Sequence, residues 1–352
     1  MVPEPFDAES PENVRAAEVS LESDDLAKDM EFLETRLGFR LDAIFPADHP
    51  RVAVMSGHGQ RVRLHAEASS TTGVRIEFAG ASLPLEVPRT EHAFVVRRLA
   101  DGDPWVVGRA GMRYRDLIPG RLGGAIIASH IRIPDAGPVP DLVHYHAVAF
   151  QLIFCHHGWV RLVYEDQGPA FVLKAGDCVI QPPQIRHRVL ESSANLEVIE
   201  VGVPAEHLTT MDHDLALPTA VPRPDRLFAG QRFCRSQADD AIWTPWRLPG
   251  FEARETGIAA ATGGVASVRV TRPAGQMAED NWTSHDADIL FAFVLRGSLR
   301  LRGEGSTAHA LTEGDAYVIP PNMKTAFETP SADLQLLEVS LPSDFNTHVH
   351  QD

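Results

Sequence analysis

The segment VHYHAVAFQLIFCHHGWVRL (residues 143–162) recurs, with changes, as WTSHDADILFAFVLRGSLRL (residues 282–301). The first copy continues through FVLKAGDCVIQPPQIRHRVL, and the second continues through HALTEGDAYVIPPNMKTAFE. The spacing is nearly constant, because 139 residues separate His146 from His285 and 138 residues separate Glu200 from Glu338. A period this long indicates two copies of a domain, since solenoid repeats are only ~20–50 residues long.

Both copies have the pattern of a β domain. Short β-branched or aromatic runs such as WVRLVYE, NLEVIEVGV and LQLLEVSL alternate with Gly, Pro and Asp every ~8–12 residues, which is typical of a sandwich or barrel. Before them, the segment DDLAKDMEFLETRLG has helical spacing between strand-like runs, which predicts a small α+β module of the order βαβββ. The predicted organisation is a module (14–80), a linker with edge strands (81–113), a first barrel (114–204), an inter-barrel linker (205–263) and a second barrel (264–342).

Composition excludes several classes of function. The net charge of −16 disfavours binding to nucleic acid and to anionic membrane surfaces. There is no run of ~18 apolar residues and no basic, apolar leader at the amino terminus, so we expect neither a membrane span nor a secretory signal. The three cysteines are too few for a disulfide framework and fit a reducing compartment. We therefore expect a cytoplasmic protein with a small-molecule substrate.

Four side chains in the first copy form a candidate metal site. His144 and His146 are two residues apart on a predicted strand and therefore project side by side. His187 lies on another predicted strand, which antiparallel pairing would bring alongside. Neutral imidazoles on rigid strands suit a divalent first-row metal, and the side-chain oxygen of Gln151 would add a fourth ligand.

The framework around these residues resembles the cupin superfamily. The first cupin motif has G, five residues, HxH, three or four residues, E, six residues and G. Here Gly137 is followed by six residues, His144-Tyr-His146, four residues, Gln151, six residues and Gly158. The second motif keeps Gly176 and the spacing to His187 but lacks the family's PxG glycine and final Asn. The resemblance implies a mainly β chain with two tandem jelly-roll barrels (a bicupin) and a metal in the mouth of the first barrel.

The second copy departs from the motif at the ligand positions. The residues equivalent to the four candidates are Thr283, His285, Leu290 and Thr325. One imidazole without a carboxylate binds a divalent ion weakly, so we expect the second barrel to have lost its metal ligands.

Other residues are weaker candidates. Cys155 and His157 share the strand parity of Gln151, and Gln181 precedes the diproline, so all three are predicted to line the substrate pocket. His156 lies at the turn before Gly158 and is expected at the pocket rim or the surface. The terminal HVH, with His348 and His350, is expected to be a disordered tail.

The N-terminal module resembles one βαβββ unit of the vicinal-oxygen-chelate (glyoxalase-like) superfamily. That resemblance covers residues 14–80 and implies metal ligands at Glu18 and Glu77. Such a site normally needs two units, and the chain has one. We therefore expect the module either to pair with that of another subunit, in a homodimer, or to pack on the barrels.

Three functions fit these features. With Fe(II), three histidines leave open positions for substrate and O₂, which favours a dioxygenase acting on a small enol, diketone, phenol or hydroxy acid. With Zn, Ni or Mn, the same site would act as a Lewis acid in a cyclase, isomerase or lyase. A non-catalytic metal- or ligand-binding bicupin is the third interpretation. Ligand chemistry alone does not select among these metals.

Overall fold

The chain folds into an N-terminal α+β module followed by two β barrels. The computed structural model describes residues 14–66, 73–78, 85–102, 105–108, 111–275 and 282–350. The prediction of a mainly β chain with tandem jelly-roll barrels is confirmed.

The N-terminal module is one mixed sheet covered by a helix. Its elements are β1 (Val14–Glu22), α1 (Leu26–Leu37), β2 (Arg40–Phe45), β3 (Val52–Gly57), β4 (Gln60–His65) and β5 (Gly73–Phe78). Asp25 caps α1 by accepting a hydrogen bond from the backbone N–H of Lys28 at 3.1 Å, and the helix ends at Gly38 in the left-handed conformation. Leu26 and its helical neighbours Met30 and Leu33 pack on the sheet.

The two barrels repeat one series of elements. The first series is β6 (Val95–Arg97), β7 (Val106–Val107), β8 (Arg113–Asp116), α2 (Arg121–Gly124), β9 (Ile127–Ile133), β10 (Gly137–Pro138), β11 (His144–His146), β12 (Phe150–His157), β13 (Trp159–Tyr164), β14 (Phe171–Lys174), β15 (Cys178–Ile180), β16 (His187–Ser192), β17 (Leu196–Val203) and β18 (Thr209–Met211). After the hairpin β19 (Leu227–Phe228) and β20 (Gln231–Arg232), the second series is β21 (Cys234–Ser236), β22 (Trp243–Pro245), β23 (Phe251–Glu255), α3 (Ile258–Ala261), β24 (Ser267–Pro273), β25 (Trp282–His285), β26 (Ile289–Arg296), β27 (Ser298–Gly303), β28 (His309–Thr312), β29 (Ala316–Val318), β30 (Thr325–Glu328), β31 (Gln335–Leu341) and β32 (Thr347–His350).

Each barrel consists of two facing sheets with matching strand orders. Barrel 1 has the order β21-β15-β12-β17-β9-β8-β7 in one sheet and β14-β13-β16-β11-β18 in the other. Barrel 2 has β6-β29-β26-β31-β24-β23-β22 and β28-β27-β30-β25-β32. The repeat therefore extends beyond the segments recognised in the sequence, and β32 pairs with β25 where a disordered tail was expected. The prediction for His348 and His350 was wrong, because a short polar edge strand has no apolar pattern to reveal it.

The barrels exchange strands. β6, which precedes barrel 1 in the chain, pairs with β29 of barrel 2, and β21, which follows barrel 1, pairs with β15 of barrel 1. Segments that read as linkers thus complete the sheet of the other barrel. The exchange joins the barrels through backbone hydrogen bonds as well as side-chain packing.

Strand β12 is apolar on both faces because both faces are buried. Leu152 and Phe154 belong to the core between the barrels, where they pack with Phe291 and Phe293 of β26. Ile153 and Cys155 belong to the interior of barrel 1. Side chains alternate along a strand, so one run of sequence supplies two different cores.

The N-terminal module continues a sheet of barrel 1. Strand β2 pairs with β18, with Ile44 opposite Thr209, and β18 in turn pairs with β11. The ion pair between Arg51 and Glu206 (2.9 Å) also joins the two parts. The module therefore packs on barrel 1, which is one of the two arrangements expected for it, while its pairing in a homodimer stays a prediction.

Candidate metal centre

Three buried histidines meet inside barrel 1. His144 on β11 lies directly opposite His187 on β16, and His146 follows two residues later on the same face. Their ligand nitrogens all lie within 4.8 Å of one another. Because the three side chains come from adjacent antiparallel strands, the sheet fixes their separation before any ion binds.

Each of these imidazoles is held from behind at Nδ1. His144 Nδ1 donates to the carbonyl of Leu142 at 2.7 Å, and His187 Nδ1 donates to the carbonyl of Ile185 at 3.0 Å. His146 Nδ1 lies 2.8 Å from the hydroxyl of Thr209. A donating Nδ1–H places the ring's lone pair on Nε2, which is the arrangement found for metal-binding histidines. The donor set therefore fits a divalent transition metal.

The histidines line a cavity of about 100 Å³. Apolar side chains from both sheets form most of its wall, namely Met112, Ile127, Ile131, Ile133, Ile153, Val160, Leu162, Val189, Leu196 and Val198. Ala47 and Asp48 of the N-terminal module also line it. The module thus contributes to the pocket of barrel 1, which its sequence did not indicate.

Gln151 lies beside Glu200, and Glu200 lines the cavity. The amide Nε2 of Gln151 donates to Glu200 Oε1 at 2.5 Å. Its amide oxygen, the atom that would bind a metal, is buried and has no hydrogen-bond partner among the described residues. The role of Gln151 as a ligand stays a prediction. Glu200 is a pocket residue that the sequence analysis used only to measure the spacing of the repeat.

The three predicted pocket residues have different positions. Gln181 lines the cavity and donates to the hydroxyl of Tyr164 at 2.9 Å. Cys155 is buried in the barrel core, and burial raises the pKa of its thiol to about 12, so it is a packing residue rather than a nucleophile. His157 does not line this cavity. A β-bulge between Cys155 and His157 breaks the alternation and turns the His157 side chain outside the barrel, towards barrel 2.

A fourth histidine lines the cavity and was not recognised in the sequence. The imidazole of His207 lies near that of His146, with ring centroids 5.3 Å apart, and its Nδ1 donates to the carbonyl of Pro204. Burial lowers the pKa of His207, so it is neutral at neutral pH. No motif marks it, because it follows the repeat and reaches the cavity only through the fold.

In the N-terminal module, the carboxylate of Glu18 is buried against two arginines. It lies 2.5 Å from Arg63 and 3.4 Å from Arg61. The side chain of Glu77 lies outside the described residues. Paired with two cations, Glu18 is bound as a structural anion rather than presented to a metal.

The interior of barrel 2 has a different composition. Thr283 lies opposite Thr325, at the positions of His144 and His187. Arg247 reaches the buried carboxylate of Glu338, with Nη2 2.6 Å from Oε2. A guanidinium thus supplies the positive charge inside this barrel.

Within the described residues, no helix combines the length and the apolar character needed to cross a membrane. No protein-family model and no curated protein matches the sequence.

Solved structures do match. Salicylate 1,2-dioxygenase from Pseudaminobacter salicylatoxidans has a TM-score of 0.52 at 17% identity, covering 76% of this chain and 92% of that chain. Oxalate decarboxylase from Lactobacillus farciminis has a TM-score of 0.51 at 16% identity, with coverages of 74% and 91%. The protein Ylba of E. coli has a TM-score of 0.50 at 11% identity, with coverages of 74% and 94%. At these identities the likeness shows the fold, and the chain has the tandem-barrel fold of the bicupins.

Proposed function

We propose that the protein is a metal-dependent cupin enzyme, and that it is a mononuclear Fe(II) dioxygenase acting on a small oxygen-rich molecule. The observation that carries this proposal is the set of three buried imidazoles, each anchored at Nδ1 and facing one cavity. His144, His146 and His187 would hold the ion. When bound, Fe(II) supplies the redox chemistry that O₂ requires.

The neutral ligand set favours an anionic or enolate-like substrate. Three imidazoles, with or without the amide of Gln151, are neutral ligands and contribute no negative charge to a divalent ion. The apolar wall then holds the body of the substrate, while Gln181 is one of the polar groups that line the same cavity. A cavity of about 100 Å³ favours a compact molecule such as an enol, diketone, phenol or hydroxy acid.

His207 is the residue best placed to take a proton from the substrate. Its Nδ1 donates to a backbone carbonyl, so the lone pair is on Nε2, and Nε2 has no hydrogen-bond partner among the described residues. The imidazole is neutral and lines the cavity. Ionisation of a phenol or enol hydroxyl before reaction is a step that such a base assists.

Oxygen consumption tests this proposal. The metal-free protein is loaded anaerobically with Fe(II) and offered a panel of phenolic acids, diketones and hydroxy acids, before and after air is admitted. We expect substrate-dependent O₂ uptake that is lost in His144→Ala and kept in Thr283→Ala, the matched change in barrel 2. Turnover that is unchanged without O₂ would refute the dioxygenase.

A Lewis-acid cyclase, isomerase or lyase is the second candidate. The observation that favours it is the presence of two proton-transfer groups, His207 and Glu200, on the same cavity. In that case the metal-free protein turns over one of the panel compounds when it is loaded with Zn(II), Ni(II) or Mn(II), and the rate is the same with and without O₂. Ligand binding without any turnover would instead support a non-catalytic bicupin.

We propose a structural role for the N-terminal module. We infer that it is a single glyoxalase-like unit that extends the sheet carrying the histidines and closes the cavity with Ala47 and Asp48. The hydrogen-bonded contact between Asp48 and Arg121 (2.5 Å) holds this loop against barrel 1. Replacing Arg121 by Met is expected to weaken substrate affinity while leaving metal content unchanged.

A further inference from the structure

A second group of metal-ligating side chains lies outside the barrel cavity. The ligand atoms of His156, His157 and Glu197 all lie within 4.8 Å of one another, on the face of barrel 1 that packs against barrel 2. The β-bulge in β12 makes this arrangement, because His157 pairs with Glu197 while Cys155 pairs with Val198. Two consecutive histidines, which a regular strand would send to opposite faces, therefore lie side by side with ring centroids 3.9 Å apart.

Barrel 2 brings a second carboxylate next to the two histidines. Glu313 follows β28, and its Oε1 lies 2.8 Å from His157 Nε2 and 3.7 Å from His156 Nε2. The cluster thus combines two imidazoles and two carboxylates from two barrels. Nitrogen and oxygen donors in this number form a complete ligand set for zinc.

Supporting contacts prepare the cluster for a cation. His130 Nε2 lies 2.6 Å from Glu197 Oε2, and Arg132 Nε lies 2.8 Å from Glu197 Oε1. These two contacts fix the position of the Glu197 carboxylate beside the histidines.

The same contacts indicate which cation fits. The guanidinium of Arg132 offsets the charge of one carboxylate, so the cluster presents less negative charge than two free glutamates. Calcium and magnesium depend on several oxygen ligands, and this set has two imidazoles instead. A borderline ion such as Zn²⁺ accepts mixed nitrogen and oxygen ligands.

The two barrels also meet at a second region, which is equivalent to this one by the repeat. That region packs without these donors. The exchange of strands creates two equivalent contacts between the barrels. Arg115 of β8 donates to the carbonyl of Gly314 in one, and Arg254 of β23 donates to the carbonyl of Gly176 in the other. The same bulge recurs in β26. The positions equivalent to His130, His156, His157, Glu197 and Glu313 hold Val270, Leu295, Arg296, Gln335 and Ala175. The fold is thus built at one corner with metal-ligating side chains and at the other without them.

We propose that His156, His157, Glu197 and Glu313 form an inter-barrel site for Zn²⁺ or a similar divalent ion, which cross-links the two barrels. The site is separate from the cavity of barrel 1 and does not depend on the proposed enzymatic function. Its expected effect is structural, because the ion would join ligands from both barrels.

Metal titration of the full-length protein tests this inference. Metal-free wild type, Glu313→Gln and Gln335→Ala are titrated with Zn²⁺ against a chromophoric chelator, and Co²⁺ absorption reports the ligand environment. We expect Glu313→Gln to bind one equivalent fewer than wild type, or to bind that equivalent at least ~10-fold more weakly, and Gln335→Ala to match wild type. Glu313 is half-exposed, so this change leaves packing intact.

A second background removes the barrel 1 site from the measurement. In His144→Ala/His187→Ala, one zinc equivalent should remain, should raise the melting temperature, and should be lost on adding His156→Gln with Glu313→Gln. If wild type and Glu313→Gln bind the same number of ions with the same affinity, the inter-barrel site does not exist and the cluster is a set of His–Glu ion pairs. That result leaves the barrel 1 proposal standing. If instead wild type binds only the equivalent that depends on Glu313, the barrel 1 proposal is refuted and the inter-barrel site is supported.

Discussion

In barrel 1 the cross-strand pair that faces the interior is His144 with His187, whereas in barrel 2 it is Thr283 with Thr325. The order of the strands in the two facing sheets is the same in both barrels. Barrel 2 has Arg247 inside it, stacked over Trp246 and bonded to Glu338. The same scaffold therefore accommodates either a cluster of histidines or an ion pair, and the histidine cluster is an addition to the fold rather than part of it.

The histidine that both barrels share is used in opposite ways. His146 contacts the hydroxyl of Thr209 through Nδ1 at 2.8 Å, and its imidazole belongs to the histidine cluster of barrel 1. Its counterpart His285 is held at Nε2, which donates to the carbonyl of Ile319 at 3.1 Å. The sequence repeat alone would equate the two residues, but their hydrogen bonds differ, and we propose a ligand role only for His146.

The largest expected effect comes from exchanging these two histidines for alanine. His146→Ala removes one of three anchored ligands, and we expect metal affinity to fall more than ~100-fold and turnover to be lost. His285→Ala should leave the affinity of the barrel 1 site unchanged. Elemental analysis after dialysis against a weak chelator measures both, and equal metal loss in the two variants would contradict the comparison.

The next effect concerns the ion pair of barrel 2. Glu338→Gln leaves a buried guanidinium without its carboxylate, which should lower the free energy of unfolding by about 3–5 kcal/mol. Glu252→Gln breaks a more exposed pair with Arg272 and should cost less than ~1 kcal/mol. Urea unfolding followed by tryptophan fluorescence compares them. Replacing both Arg247 and Glu338 by Met and Leu should recover most of the loss, and failure to do so would show that the pair is needed for packing.

The repeat and the histidine cluster could be predicted because both depend on local rules. Alternation along a strand placed His144 and His146 on one face, and the constant offset of the two copies required a common register. The Gly158 turn is equally local. Its φ of 76° suits glycine, and a Cβ there would meet the hydroxyl of Ser193.

Other features depend on contacts that no local pattern encodes. The strand β6 consists of Val95–Arg97, and nothing in three residues reveals a partner more than 200 positions away. His207 enters the cavity from a segment beyond the repeat. His157 was predicted inside barrel 1 and lies outside it. The prediction assumed that side chains alternate without interruption along β12, and the bulge before His157 breaks that alternation.

Barrel 2 should respond to acid through its buried histidine. Burial and the nearby charge of Arg247 lower the pKa of His285 to about 4, against an ordinary value of 6.5. Between these values the unfolded chain binds a proton that the folded chain does not, so the stability contributed by this residue falls as pH drops from 6.5 to 4. The loss of unfolding free energy over this range should be about 3 kcal/mol smaller in His285→Gln than in wild type. Identical pH profiles would contradict the lowered pKa.

The smallest expected effect tests how the shared histidine is oriented. Thr209→Val keeps the shape of a fully buried side chain but removes the oxygen that contacts His146 Nδ1, so the imidazole loses the partner that fixes its orientation. Metal affinity should fall ~10–100-fold without loss of the folded state. Thr347→Val is the matched change, since Thr347 lies opposite His285 and its hydroxyl has no hydrogen-bond partner among the described residues. Competition with a chelator of known affinity measures both variants. If they bind metal equally well, the position of His146 is set by the strand alone, and the difference between the barrels reduces to the presence or absence of the other two histidines.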